Sequence, residues 1–229
     1  MKNYIETVNG ISFTMVYVEH GTFQMGCPDE NAHGYEKPVH TVTLTKDFLI
    51  GETPVTQKLW TAVMGDNPSA FKSPSSPVGK VSWPMAWEFI HKLRALTGKN
   101  YRLPSEAEWE FAARGGNKSK GYRFAGGDTL EDVAWCMENS GGRSWPVAKL
   151  QPNELGIYDM SGNVSEWCQD NSAGYSAEAC TDPIVENGKD LRIIRGGGAF
   201  MQASSSVWWR AGAHITEMVC VDQGFRLAI

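Results

Sequence analysis

Chemistry in this sequence would rest on oxygen donors rather than on thiols or imidazoles. In the run GIYDMSGNVSEW, Asn163 and Glu166 set two oxygen ligands three residues apart, and neighbouring backbone carbonyls would complete a calcium shell. Asn139 and Asn153 would contribute to a second oxygen site. With so few carboxylates such sites bind calcium modestly, and no other cofactor is indicated. The alternative is that these side chains satisfy loop carbonyls and amides, which a fold rich in irregular backbone must do.

Covalent catalysis needs a nucleophile beside a base. Cys220 has no neighbouring histidine, and Ser204, Ser205 and Ser206 lack the G-x-S-x-G elbow. His20, His33, His40, His91 and His214 show no H-E-x-x-H spacing, so a histidine-bound catalytic metal is unsupported. The glycine pairs and triplets, Gly126-Gly127 and Gly196-Gly197-Gly198, do not run into helices and would not cradle phosphate. Five cysteines without a C-x-x-C pair fit neither a complete disulfide set nor a zinc knuckle. One or two disulfides and a set of reduced buried thiols are both compatible with them. From the residues alone no active site emerges.

The other distinctive stretch is residues 191–229. Arg192, Ile193 and Ile194 form a strand-like run closed by Arg195 and three glycines, and Gly224-Phe225-Arg226-Leu227 reads as a final strand. Residues 199–223, between these ends, show neither a strand nor a helix pattern. Two readings compete: the aromatics there fill the core, as most aromatics do, or the segment is a displayed surface held at both ends. As a surface it would offer Ala199, Phe200, Met201, Val207, Trp208, Trp209 and Ala211 as apolar contacts. Gln202, Ser204, Ser205, His214, Thr216 and Glu217 would supply adaptable polar ones, a mixture like that of paratopes.

The rest of the chain must then hold that segment. A hydrophobic content of 41% with 21% charged residues is ordinary globular composition. A net charge of −5 leaves no basic footprint for nucleic acid. No apolar run is long enough to span a bilayer, and MKNYIETVNG contains no apolar leader core. Nine tryptophans and 24 glycines point to irregular backbone held by large flat side chains. Short strands are expected on either side of His20-Gly21 and across His40 to Leu49. Helices are expected at residues 57–64, from Ser82-Trp83-Pro84 to Gly98, and from Ser105 to Gly115, the last opened by the Ser105/Glu108 capping box. Trp60, Trp83, Trp87, Trp109, Trp135 and Trp167 are the candidates for the core. With no repeat and no linker, residues 1–229 read as one domain, with 191–229 as its ligand-binding segment.

Seven strings occur here in the order seen in formylglycine-generating-enzyme (sulfatase-modifying factor) domains: MVYVEHGTFQMG, ETPVTQKLW, PVGKVSWPMAWEF, YRLPSEAEWEFAARGG, PNELGIYDMSGNVSEW, RIIRGGG and GFRL. The sequence resembles that family over nearly its whole length. The resemblance implies an α+β, C-type-lectin-like fold of the formylglycine-generating-enzyme subtype, loop-rich, with two main helices and short antiparallel strands. It implies that residues 15–25 and the strand at 224–227 lie together, bringing both termini to one sheet, and that calcium-type sites lie near Asn139, Asn153, Asn163 and Glu166. Oxygen-dependent members carry two redox cysteines after the paired glycines, and here those positions fall on Met201 and Ser206. Neither side chain can bind copper as a thiolate.

The chain also resembles the variable proteins of diversity-generating retroelements, the Treponema variable protein type, in which a C-terminal segment is rewritten on a constant scaffold. Gly198-Ala199-Phe200-Met201-Gln202 and Ser206-Val207 depart from the family pattern inside a frame that keeps it. This resemblance implies a non-enzymatic ligand-binding or adhesin-like protein with an unknown protein or surface ligand as its partner. It also implies a cell-surface location, as a lipoprotein whose leader has been removed. The alternatives are a formylglycine-generating oxidase acting on a sulfatase cysteine, and a structural domain whose aromatics are buried against a partner chain.

Overall fold

A computed structural model describes residues 2–30, 33–188, 190–200, 205–215 and 220–229. The chain opens with strands β1 (Tyr4–Val8), β2 (Ile11–Val18), β3 (Gly21–Met25), β4 (His40–Leu44) and β5 (Phe48–Gly51). Helices α1 (Gln57–Met64), α2 (Trp83–Thr97) and α3 (Glu106–Ala113) follow, then two single turns, α4 (Leu130–Val133) and α5 (Met137–Ser140). Strands β6 (Ser165–Asn171), β7 (Cys180–Thr181), β8 (Leu191–Arg195), β9 (Arg210–His214) and β10 (Gln223–Gly224) complete it.

The three main helices begin and end on local signals. The Thr56 and Ser82 hydroxyls accept from Leu59 N and Met85 N, and Gly65 and Gly98 close α1 and α2 in the left-handed region that favours glycine. At α3 the capping box is complete: Glu108 N donates to Ser105 Oγ at 3.1 Å and Ser105 N donates to Glu108 Oε2 at 2.8 Å.

The strands form three small sheets, in the orders β1-β2-β5, β10-β6-β8-β9 and β3-β4-β7. Most pairs are antiparallel as expected, but β10 joins β6 and β4 joins β7 in parallel, two residues each. The strands flanking His20-Gly21 do not pair with each other; β2 and β3 enter different sheets. The run from His40 to Leu49 also divides. Its turn residues have polar work to do, with Thr45 N donating to Asp182 and Asp47 accepting from the His20 backbone and ring. The terminal residues return to β5, where Gly51 N donates to Leu227 O at 2.8 Å and Leu49 N to Ile229 O at 3.1 Å. Both termini therefore meet at the β1-β2-β5 sheet, while Met25 at the end of β3 lies in another.

Among the described residues, two large apolar clusters fill the interior, beside a small third one of Phe124, Val133 and Ala134. One gathers Trp109 and Phe111 of α3 against β3, β4, Val207 and Ile193. The other places Trp60, Phe89, Tyr101, Trp167 and Phe225 between α1, α2 and the sheets, with the Phe89 and Phe225 rings 5.4 Å apart. Trp60, Trp109 and Trp167 are fully buried. Trp83, Trp87 and Trp135 are only half-buried, a correction to their assignment as core. Their rings also serve as platforms: Arg192 lies 4.2 Å over Trp83, Arg94 lies 5.6 Å over Trp87, and Trp135 stacks on Trp145 at 4.7 Å.

A second correction concerns residues 199–223, where β9 stands in a stretch with no strand pattern. Its RAGAH sequence has no alternation to read, and its register is set by β8, from Arg195 opposite Arg210 to Leu191 opposite His214.

Candidate ligand-binding surface

The frame of the C-terminal segment is built from buried charge. Arg195 and Arg210 stand directly opposite each other on β8 and β9, where like charges would repel. Glu106 at the start of α3 resolves this by binding both, accepting from Arg195 Nη1 at 2.8 Å and from Arg210 Nε at 2.6 Å. One turn on, Glu110 accepts from Arg195 Nη2 at 2.6 Å, from Arg114 at 2.7 Å and from Gly26 N at 2.9 Å. Burial alone would raise the Glu110 carboxyl, yet Arg114 and Arg195 hold it below the usual range. At the other end, Arg226 and Glu166, both fully buried, pair through two bonds of 2.6 and 2.8 Å, and Trp109 Nε1 donates to the same carboxylate at 2.6 Å.

Between these clamps, several described residues of the segment are held through their main chain. Ala199 N donates to Asn163 O at 3.1 Å, and Ser140 Oγ donates to Ala199 O at 2.7 Å. Phe200 N donates to Asp222 Oδ2 at 3.1 Å. Ser161 Oγ donates to Ser205 O at 2.6 Å, Val207 N donates to Arg123 O at 2.9 Å, and Arg195 Nη2 donates to Val207 O at 2.7 Å. Apart from the one to Asp222, itself a side chain of the segment, such bonds do not depend on which side chains the segment carries, proline excepted. A Cβ on Gly198 would collide with the Asp222 carboxylate, so that position is fixed.

The thirteen residues expected to form a surface divide. Ala199, Ser205, Val207 and Trp209 are buried, a correction with a clear cause: Arg195 draws the carbonyl of Val207 inward, and residues 205–210 follow it. Phe200, Trp208 and Ala211 are half-buried, with Trp208 packed on the α3 cluster and Arg114 5.7 Å from its ring. His214 is exposed. Met201, Gln202, Ser204, Thr216 and Glu217 lie outside the described residues. Phe200 comes within reach of Gly142, and the neighbouring Arg143 sits 4.4 Å over the Trp145 ring. These aromatic neighbours lie outside the terminal segment and carry no motif that would have singled them out.

The four oxygen donors are engaged separately. Asn139 accepts from Cys136 N and donates to Ala134 O, Asn153 bridges Leu155, Ile157 and Ala112, and Asn163 bonds both backbone groups of Trp145. Glu166 belongs to Arg226. Their donor and acceptor atoms hold loops together, which is the alternative reading of them. Among the described residues, no group of three His, Cys, Asp or Glu side chains could hold a metal. Burial pushes the thiols of Cys27, Cys136, Cys168 and Cys180 up, away from the reactive thiolate. Ser206, at one expected redox position, is buried.

The sequence profile of the sulfatase-modifying factor enzyme 1-like domain matches residues 8–229. The chain belongs to this family. Among solved structures, the variable protein 1 of Treponema denticola superposes with a TM-score of 0.90 at 32% identity, over 99% of this chain and 98% of that one. The fold is thus the C-type-lectin-like fold of the formylglycine-generating-enzyme subtype, and the resemblance to variable proteins extends over the whole chain. A chaperone protein LppX from Paenibacillus barcinonensis is 35% identical, over 95% of this chain and 89% of its own length. An inactive Cα-formylglycine-generating enzyme 2 from Bos taurus is 29% identical, over 91% of this chain and 83% of its own. The family therefore includes a member named as inactive and a neighbour named as a variable protein.

Proposed function

We propose that this protein is a non-enzymatic, ligand-binding variable protein: one domain whose constant scaffold displays a changeable C-terminal surface to a protein or surface ligand. The observation that supports the reading is the main-chain grip on Ala199, Phe200, Ser205 and Val207. Scaffold groups hold the segment by its amides and carbonyls, which leaves side chains at the outward positions free to differ. The full-length likeness to a variable protein supports it. So does the state of the chemistry: Ser206 in place of a redox cysteine, and thiols raised by burial. Recognition then falls to Phe200, Met201, Gln202, Ser204, Trp208, Ala211, His214, Thr216 and Glu217, while Ala199, Ser205, Val207 and Trp209 serve the scaffold. No cofactor is needed for this role. An adhesin-like location on the cell surface, as a lipoprotein, goes with it; no helix among the described residues is long and apolar enough to cross a membrane.

The test is a selection. A library randomised at the outward positions is displayed and panned against an arbitrary protein such as lysozyme. The expected result is folded binders that differ from the parent only at those positions. In parallel, the parent is incubated with copper, oxygen and a cysteine-containing sulfatase peptide; conversion of that cysteine to an aldehyde would overturn the reading.

A further inference from the structure

The sheet that carries the C-terminal segment ends on β9, which has β8 on one side and no described strand on the other. In an antiparallel strand, successive residues turn their N–H and C=O groups to opposite sides. On β8, Leu191 O accepts from Ser172 N and so points toward β6, while the preceding Asp190 O accepts from Ile215 N on the β9 side. Carried along the register, Ala211 and Ala213 bond to Ile194 and Arg192, and Arg210, Gly212 and His214 turn their main-chain groups to the open edge. The turn at Gly34–Glu36 closes the Arg210 end, where Tyr35 O accepts from Arg210 Nη1 at 2.9 Å. Gly212 and His214 are exposed, and their N–H and C=O groups have no backbone partner among the described residues. A glycine has only main chain, so the exposure of Gly212 is exposure of those groups. Its side-chain position is already filled, since a Cβ there would meet Ser172 Oγ at 2.6 Å. Edge strands are ordinarily blunted by lysine, proline or a bulge. RAGAH has none of these, and its register with β8 is unbroken.

We propose that β9 takes up an extended segment of a protein ligand as an added strand. This rests on the reading of the C-terminal segment as a binding surface and names its partner class: a polypeptide with an unpaired stretch of backbone. The outward N–H and C=O groups of Gly212 and His214 recur at the two-residue period of a strand, and a second strand supplies acceptors and donors at the same period. Selectivity comes from the face beside them. Ala211 and Ala213 stand opposite Ile194 and Arg192, and the Arg192 guanidinium lies 4.2 Å over the half-buried Trp83. With only methyl groups at 211 and 213, that face stays low, and alternate side chains of the added strand pack over it. Main-chain bonds then give an affinity that survives changes of side chain in the segment, while residue 211 on this face sets preference.

The probe is an acetylated, amidated peptide, KTVTVTK, titrated at millimolar concentration into nitrogen-15-labelled protein and followed by NMR of the protein amides. Its control has the same side chains on a fully N-methylated backbone. The Gly212 and His214 amide protons should move downfield while those of Ala211 and Ala213 stay, and the methylated peptide should do nothing. His214→Pro removes an outward N–H without touching the bonds to β8, and should weaken peptide binding about tenfold. His214→Ala keeps that N–H and should bind within about twofold of the parent. If the proline variant does not fold, the methylated peptide alone decides. No response at Gly212 and His214, an equal response to the methylated peptide, or undiminished binding by a folded proline variant would each overturn the proposal. So would concentration-dependent pairing of β9 with a second copy of the chain. Each of these outcomes is compatible with a library selection that still yields binders, so failure here is distinct from failure of the binding-surface reading.

Discussion

Arg195 and His214 stand on the same pair of strands, and the fold treats them in opposite ways. Arg195 is fully buried, held by two carboxylates and a carbonyl, while His214 faces solvent on the partner strand. The same contrast runs through the whole terminal stretch. Arg195, Arg210 and Arg226 are fixed by side-chain charge, whereas Ala199, Phe200, Ser205 and Val207 are held by main-chain hydrogen bonds to Ser140, Ser161, Asn163, Asp222 and Arg123. A segment becomes changeable when its anchors are few, buried and outside it, and when what lies between them is gripped through groups that every residue possesses.

The contrast can be broken first at the clamps. Glu166→Ala leaves Arg226 buried without its counter-charge, and guanidinium unfolding should show a loss of about 3–5 kcal/mol. Trp209→Ala empties an interior site and should cost about 3 kcal/mol, against a smaller loss for the half-buried Trp208→Ala; equal losses would erase the distinction between inner and outer faces. Ser161→Ala removes the donor to Ser205 O and the acceptor of Ala125 N and should cost about 2 kcal/mol, the expected size for two buried hydrogen bonds. His214→Ala should stay within about 0.5 kcal/mol of the parent by the same measurement.

Much of this fold can be read in the sequence, and the parts that cannot share a physical cause. Helix ends are local: Ser82, Gly98, Ser105 and Glu108 announce themselves within a turn, and the observed caps use those residues. Strand pairing is not local. The YIETV of β1 goes unread because its inward positions include Glu6, which is bound by Lys99 and Tyr101, while Ile5 is 70% exposed. RAGAH of β9 carries no pattern because its place is set by β8 and by Glu106. The arginines of RIIRGGG and GFRL are legible as a frame, but what they bind is not. The missed signal lies on α3, where Glu106 and Glu110 sit one helical turn apart on a face that also carries Ala113. Two carboxylates on a buried helical face call for buried cations, and Arg195 and Arg210 answer them. The oxygen donors of the GIYDMSGNVSEW run show the converse limit, since residue type alone cannot separate a metal ligand from a side chain that ties loops.

Melting midpoints of two small libraries test the division most directly. In one, Gln202, Ser204, His214, Thr216 and Glu217 are varied together; in the other, Ala199, Ser205, Val207 and Trp209. The account expects most members of the first set to melt within a few degrees of the parent and most of the second to lose cooperative unfolding. Widespread unfolding in the first set, or tolerance in the second, would contradict it.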